Sequence, residues 1–201
     1  MGRRVRFLFV LLGLLVCCPA LWARQGYSRE YLREWDAILE ASREYGLNPL
    51  LVWAVISVES GFSSPYVIGV DVNDGNLKAL KRAARAARFV AKRVSRFRLA
   101  VFPASMADGV RVVRELEASG VSFDVGLGQI NSGTARSFGV DPAALLDVRY
   151  NVTFTAFYLR RVINLHGPDS VWRYNGSPSY QKRLLARLRT VGRYYAEAEE
   201  K

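Results

Sequence analysis

The chain is 201 residues long, with 29 basic against 18 acidic side chains, a formal net charge of +11 and half of its residues hydrophobic. That length and apolar content suit one domain with an ordinary core, and the positive excess favours an anionic partner such as a cell wall or a membrane surface. Two cysteines, Cys17 and Cys18, and one histidine, His166, exclude a disulfide framework and offer no ligand set, so no metal and no cofactor is expected.

Residues 1–23 read as a secretory leader. Arg3, Arg4 and Arg6 form its charged start, Phe7 to Val16 its apolar run, and Ala20-Leu21-Trp22-Ala23 a cleavage site. The run is short for a membrane span. Val16 stands before the first cysteine where a lipidation signal takes a small residue, which argues against a lipid anchor. The expected product is a periplasmic domain of residues 24–201 without cysteine. Export argues against a nucleic-acid partner, and no aromatic-basic readout motif is present.

Ser28 is a helix cap, and apolar spacing through Trp35, Ile38 and Leu39 predicts a helix to Tyr45, ended by Gly46. Asn48-Pro49 starts a second helix, apolar nearly all round from Leu50 to Val58 and therefore buried, that ends on Glu59-Ser60-Gly61. Phe62 to Gly75 reads as a loop. Leu77 to Val101 predicts a long basic helix: Leu77, Leu80, Ala84, Ala87, Ala91 and Val94 recur at helical spacing among nine cations and no acid. Its stretch 77–98 is either a solvated face or a surface for an anionic wall polymer, a lipid or an acidic protein, because like charges four residues apart weaken a helix. Further helices are expected over Ala107 to Ala118, Thr134 to Phe138, Asn151 to Asn164 and Tyr180 to Tyr195, with a short turn at Asp141-Pro142 and Leu184, Leu188 and Val191 facing inward. His166 reads as a helix-end residue beside a turn. Few segments alternate as strands do, so one mainly α domain is expected.

Glu59 is the carboxylate that stands out. At the end of a buried helix, desolvation and the negative pole of the helix both disfavour its charge, so its pKa should rise toward that of a general acid. The alternative is a solvated glutamate at a frayed helix end. Downstream stand Asp124-Val125-Gly126-Leu127-Gly128-Gln129-Ile130-Asn131 and Arg173-Tyr174-Asn175-Gly176. The order Glu-Ser, Gly-Leu-x-Gln, Tyr-Asn resembles the Slt-type lytic transglycosylases, relatives of goose-type lysozyme that cut peptidoglycan. The form Phe123 to Asn131, with Glu59-Ser60-Gly61-Phe62 through Ile68-Gly69-Val70, is most similar to members that serve type IV secretion and conjugation. The resemblance covers roughly Leu47 to Leu188.

It implies a lysozyme-like helical domain with an inserted basic helix, peptidoglycan glycan strands as substrate, and components of a secretion or conjugation machinery as partners. A glycosidase ordinarily needs two carboxylates, and near Glu59 the candidates Asp71, Asp74 and Asp124 all lie in turn-rich segments. The family's chemistry, as the resemblance implies it, needs one: Glu59 protonates the glycosidic oxygen and then deprotonates the C6 hydroxyl, leaving a 1,6-anhydromuramyl end. A water-adding muramidase and a non-catalytic wall-binding assembly factor are the alternatives. Substrate-binding roles fall to Ser60, Gly126, Leu127, Gln129, Tyr174 and Asn175. Ser60 would touch substrate or cap the helix. Gly126 and Gly128 would admit a sugar to the backbone, Gln129 would offer its amide to glycan or to Glu59, the Tyr174 phenol would position the acid, and the Asn175 amide would bind sugar. Gly128 stands where many family members carry Met. Arg173 replaces a small residue and would reach a peptide-stem carboxylate; a plain inter-helix turn is the other reading of 173–176.

Overall fold

The computed structural model describes residues 29–199, and their side chains from 34 to 190. The leader over 1–23 and the Ser28 cap lie outside the described residues, as does the side chain of Val191. No described helix is long and apolar enough to cross a membrane.

Seven helices are present among the described residues, with two short 3-10 segments. Helix α1 spans Arg29–Glu44 and α2 spans Pro49–Glu59, the latter capped by Asn48, whose side chain accepts the Leu50 amide at 2.9 Å. Helix α3 (Asp74–Ala83), α4 (Met106–Ala118) and α5 (Ser132–Ser137) follow. A 3-10 turn at Pro142–Leu146 leads into α6 (Val148–His166), a second at Pro168–Tyr174 into α7 (Ser179–Glu199). Each of α2 to α6 opens on an Asn, Ser or Asp whose side chain takes an orphan amide; the Asn48 cap was expected, whereas α3 to α6 begin one to three residues ahead of their expected starts. His166 is the last residue of α6, with Gly167 as its cap.

Between the helices runs an antiparallel five-stranded sheet in the order β2-β3-β1-β4-β5. Its strands are β1 (Ile68–Asp71), β2 (Phe89–Ser95), β3 (Arg98–Pro103), β4 (Phe123–Val125) and β5 (Ile130–Asn131). The domain is mainly helical, as expected, but this sheet corrects two expectations. The segment 62–75 holds β1. The basic stretch is no single helix: α3 stops at Ala83, and 89–103 forms a hairpin. The reason lies in β3, where Leu99, Val101 and Pro103 alternate into the core while Arg98, Ala100 and Phe102 do not. Burying that face against Val70 and Ile68 of β1 outweighs a helix weakened by like charges four residues apart.

Two apolar cores result. One joins the sheet to α3, α4 and the first 3-10 turn through Ile68, Val101, Val113, Leu116, Phe123 and Leu146. The other joins α1, α2 and α7 through Ile38, Val52, Ile56, Leu127, Tyr180 and Leu184, with Leu188 half-buried at its edge. Helix α6 belongs to both, giving Phe154 to the first and Val152, Ala156 and Leu159 to the second.

One polar side chain pins the seam. Asn151, fully buried on α6, donates to the carbonyls of Val125 (3.0 Å) and Leu145 (2.9 Å) and accepts the Gly128 amide at 2.8 Å. Asn151→Ala leaves three buried backbone groups unpaired, and should cost about 2–4 kcal/mol in urea unfolding. A loss under about 0.5 kcal/mol would mean that the loop is held elsewhere.

Candidate active site

Glu59 ends α2 because the chain turns sharply after it. Ser60 and Gly61 both donate backbone amides to the Ile56 carbonyl, at 3.0 and 3.3 Å, and Gly61 and Phe62 take left-handed φ values of 59° and 55°. The Ser60 hydroxyl also donates to Ile56 O (3.2 Å) and accepts the Phe62 amide (3.3 Å), so it works as a helix cap. Trp53 and Phe62, 5.8 Å apart, close the underside of the turn. The carboxylate is thereby aimed into a cavity of about 260 Å³ between the two cores. Asp124, Gln129, Asn131, Thr134, Tyr158, Tyr174 and Asn175 are among its lining.

Burial pushes the Glu59 pKa up to about 7, and the nearby Asp124 charge adds to the rise. Three groups oppose it. The Tyr180 hydroxyl leans toward the carboxylate without the geometry of a full hydrogen bond, Asn175 donates from Nδ2 to Oε1 at 3.3 Å, and Arg183 contributes its charge. The acid is thus poised near neutrality by burial, as anticipated. Tyr174 and Tyr180 in turn are held well above the ordinary tyrosine range, chiefly by burial and next by the Glu59 charge, so both stay neutral donors.

The Gly-Leu-Gly-Gln loop is built by the protein for itself. A β-carbon on Gly126 (φ 73°) would overlap the Asn151 amide and crowd the Leu145 carbonyl; one on Gly128 would overlap the Thr155 hydroxyl and sit 3.0 Å from the Tyr174 oxygen. The space that the two glycines leave is therefore filled by α6 and by Tyr174. Leu127 is 1% exposed and packs into the helical core. Gln129, left-handed at φ 47°, is a strained position for a residue with a side chain. Its amide nitrogen donates to Gly126 O (2.9 Å) and Val67 O (3.3 Å), which fixes the loop and commits the donor to backbone.

Tyr174 and Asn175 both line the Glu59 cavity, and it is Asn175 that contacts the acid. The Tyr174 hydroxyl donates to Gly128 O at 2.8 Å, while Asn175 reaches the acid. Arg173 stacks on Trp172, its guanidinium 4.6 Å from the ring centre, and lines an adjoining cavity of about 410 Å³ with Arg161 and His166.

Of the other carboxylates, Asp74 lies in the first turn of α3, away from the cavity. Asp71 is paired with Arg98 at 3.0 Å. Asp124 does face Glu59, yet both its oxygens are engaged: Arg98 pairs with one, and Asn131 donates to the other at 2.8 Å. Sheet register explains the set. Asp124 lies opposite Asn131 on β5 and opposite Gly69 on β1, and Arg98 on β3 lies opposite Asp71 on β1. Gly69 has no β-carbon to block the Arg98 and Gln129 side chains that cross above it.

Sequence reasoning missed Tyr180, Asn151 and Thr155. A signal existed for the last two: they are buried polar residues four apart on the apolar face of α6, where Asn151 is fully hydrogen-bonded and the Thr155 hydroxyl has no hydrogen-bond partner among the described residues. Tyr180 carried no signal beyond being aromatic.

A family model described as a transglycosylase SLT domain matches residues 36–187, a span that includes every residue of this cavity. No curated protein and no solved structure matches the chain.

Folded, Glu59 keeps its proton to about pH 7; unfolded, it releases it near 4.5. The native state therefore binds the extra proton, and stability falls as pH rises through that window and then levels. Glu59→Gln removes the titration. Its stability advantage over wild type should grow by roughly 1–3 kcal/mol between pH 4.5 and 8, measured by urea unfolding at both. An advantage independent of pH would contradict a protonated native acid.

Proposed function

The chain belongs to the transglycosylase SLT family, and from that membership we propose that it is a peptidoglycan lytic transglycosylase in which Glu59 is the acid and then the base. Glu59 gives its proton to the oxygen between N-acetylmuramic acid and N-acetylglucosamine, and the C1–O4 bond breaks. The muramic N-acetyl group shields the cation that develops at C1. The C6 hydroxyl oxygen then bonds to C1 as its proton passes to the Glu59 carboxylate. One proton leaves the acid and one returns, no water is consumed, and the enzyme ends as it began with a 1,6-anhydro sugar released.

The observation that carries this reading is the pairing of a carboxyl poised at about 7 with a second carboxylate tied up on both oxygens. A hydrolase of two carboxylates needs the second one free to attack or to activate water. Asp124, held by Arg98 and Asn131, has no oxygen free for either task. Asn175 supports the mechanism from the other side, since its amide favours the charged carboxylate that forms once the proton has been given away.

Two finer statements belong to the same proposal. Export to the periplasm rests on the leader-like residues 1–23. Service to a type IV secretion or conjugation apparatus rests on the form of Phe123 to Asn131.

Mass spectrometry of muropeptides released from purified sacculi tests the chemistry. Wild type should yield anhydromuropeptides, and Glu59→Gln should lose at least about a thousandfold in rate, as expected for removal of the sole proton donor. The wild-type kcat/KM should fall as pH rises through about 7, where the acid deprotonates. Reducing muramic ends in the products would replace this reading with hydrolysis.

A further inference from the structure

Strand β2 and the turn after it carry side chains that the fold leaves largely unused, whereas β3 packs its inner face into the core. Strand β2 is the outer edge of the sheet, and from Val90 to Ser95 every residue on it is exposed. Val90 at 59%, Val94 at 61% and Phe97 at 67% are among the most exposed large apolar residues described, and all three lie within eight positions. Interleaved with them are Lys92, Arg93 and Arg96. None of the three has an acidic partner among the described residues; Arg93 donates to the Arg96 carbonyl, Lys92 lies over the Phe102 ring and Arg96 over Phe97. The remaining cations are placed differently. Arg98 turns inward to Asp71 and Asp124, and the Arg88 amide is fastened to Asp108 at 3.0 Å.

The result is a rigid root and a free, cationic, apolar tip. Register puts Val90 opposite Phe102 and Lys92 opposite Ala100, so Val90, Lys92, Ala100 and Phe102 share the face turned away from the core. The aromatic Phe97 lies in the turn beyond them. Exposed apolar side chains flanked by cations with no internal counter-charge are suited to a surface that is negative outside and apolar just beneath.

We propose that the tip of this hairpin, residues 90–97, docks the protein on an anionic lipid bilayer, with Phe97, Val94 and Val90 entering the headgroup boundary and Lys92, Arg93 and Arg96 pairing with lipid phosphates. Strand pairing with an acidic protein is the less fitting occupant. The edge is irregular between Arg93 and Ser95, where the register slips, and it carries cations along its length; both features protect a strand edge from another strand. A purely ionic partner such as a phosphate-bearing polymer would leave the three apolar side chains without a role. The proposal is independent of the chemistry at Glu59, because the tip contributes nothing to the cavity.

Hydrogen exchange read by mass spectrometry on the full chain tests it locally, so that lipid contacts made elsewhere in the chain do not count. Phosphatidylglycerol vesicles should slow exchange over 89–98, phosphatidylcholine vesicles should not, and high salt should weaken the effect. The triple variant Lys92→Gln, Arg93→Gln, Arg96→Gln should raise the lipid concentration for half-protection by at least about tenfold. Phe97→Ser should raise it too, with charge unchanged, while exchange elsewhere and wall cleavage in both variants stay at wild-type levels. No protection over 89–98, or equal protection by both lipids, overturns the proposal. So does undiminished protection in Phe97→Ser, which would mean a purely ionic surface.

Discussion

Asn151 is an amide with no water within reach, and each of its contacts falls on a different piece of chain. It holds the end of β4 by Val125, the first 3-10 turn by Leu145 and the Gly-Leu-Gly-Gln loop by Gly128. The side chain that joins these three pieces sits on the helix shared by both cores. In a low-dielectric seam such a fully satisfied amide is worth more than its bonds counted singly, because every alternative placement of the loop strands a buried polar group. The position of Gln129, the carbonyl that receives Tyr174, and the strand that carries Asp124 all follow from it.

The cavity built on that seam handles charge in two opposite ways. On the helical wall, Glu59 is kept out of water and lightly supported, so that its two protonation states are close in free energy near neutral pH. On the sheet wall, Asp124 is committed to Arg98 and Asn131. One carboxyl is free to change its state and the other is fixed in place. This asymmetry is a property of where the residues lie. Glu59 ends a helix with nothing cationic in contact, whereas Asp124 sits mid-sheet, where register delivers an arginine and an asparagine to it.

Much of this was legible beforehand, for identifiable reasons. Asn48-Pro49 announces the start of α2, and a helix apolar on all sides is buried, so a rise in the Glu59 pKa was expected there, but only the Gly-Leu-x-Gln and Tyr-Asn motifs downstream set it apart from a solvated helix end. The sheet was hidden because its strands are short and because β2 is exposed on both faces, which removes the alternation that marks a half-buried strand. Within 77–101, Ala-Ala-Arg-Ala-Ala-Arg reads as helix, and only Leu99, Val101 and Pro103 alternate. The glycines of the loop were expected to admit a sugar, but a missing side chain shows that something comes close, not what. Here the visitors are Asn151, Thr155 and Tyr174. That Asn175 touches Glu59 while Tyr174 reaches the Gly128 carbonyl was not legible, because neighbouring residues at the end of a 3-10 turn point in different directions, which sequence does not record.

Gly128 and Thr155 carry a further consequence, one of history. Many members of the resembled family hold Met where this chain holds Gly128, yet here a β-carbon would run into the Thr155 hydroxyl. The two positions therefore cannot change independently. Trimming Thr155 to Ala first removes the obstructing oxygen and leaves the glycine merely under-packed. Enlarging Gly128 first drives an atom into a buried hydroxyl and displaces the loop. A larger residue at 128 therefore needs position 155 to shrink first, and then the Tyr174 hydroxyl, 3.0 Å from the same point, to give way.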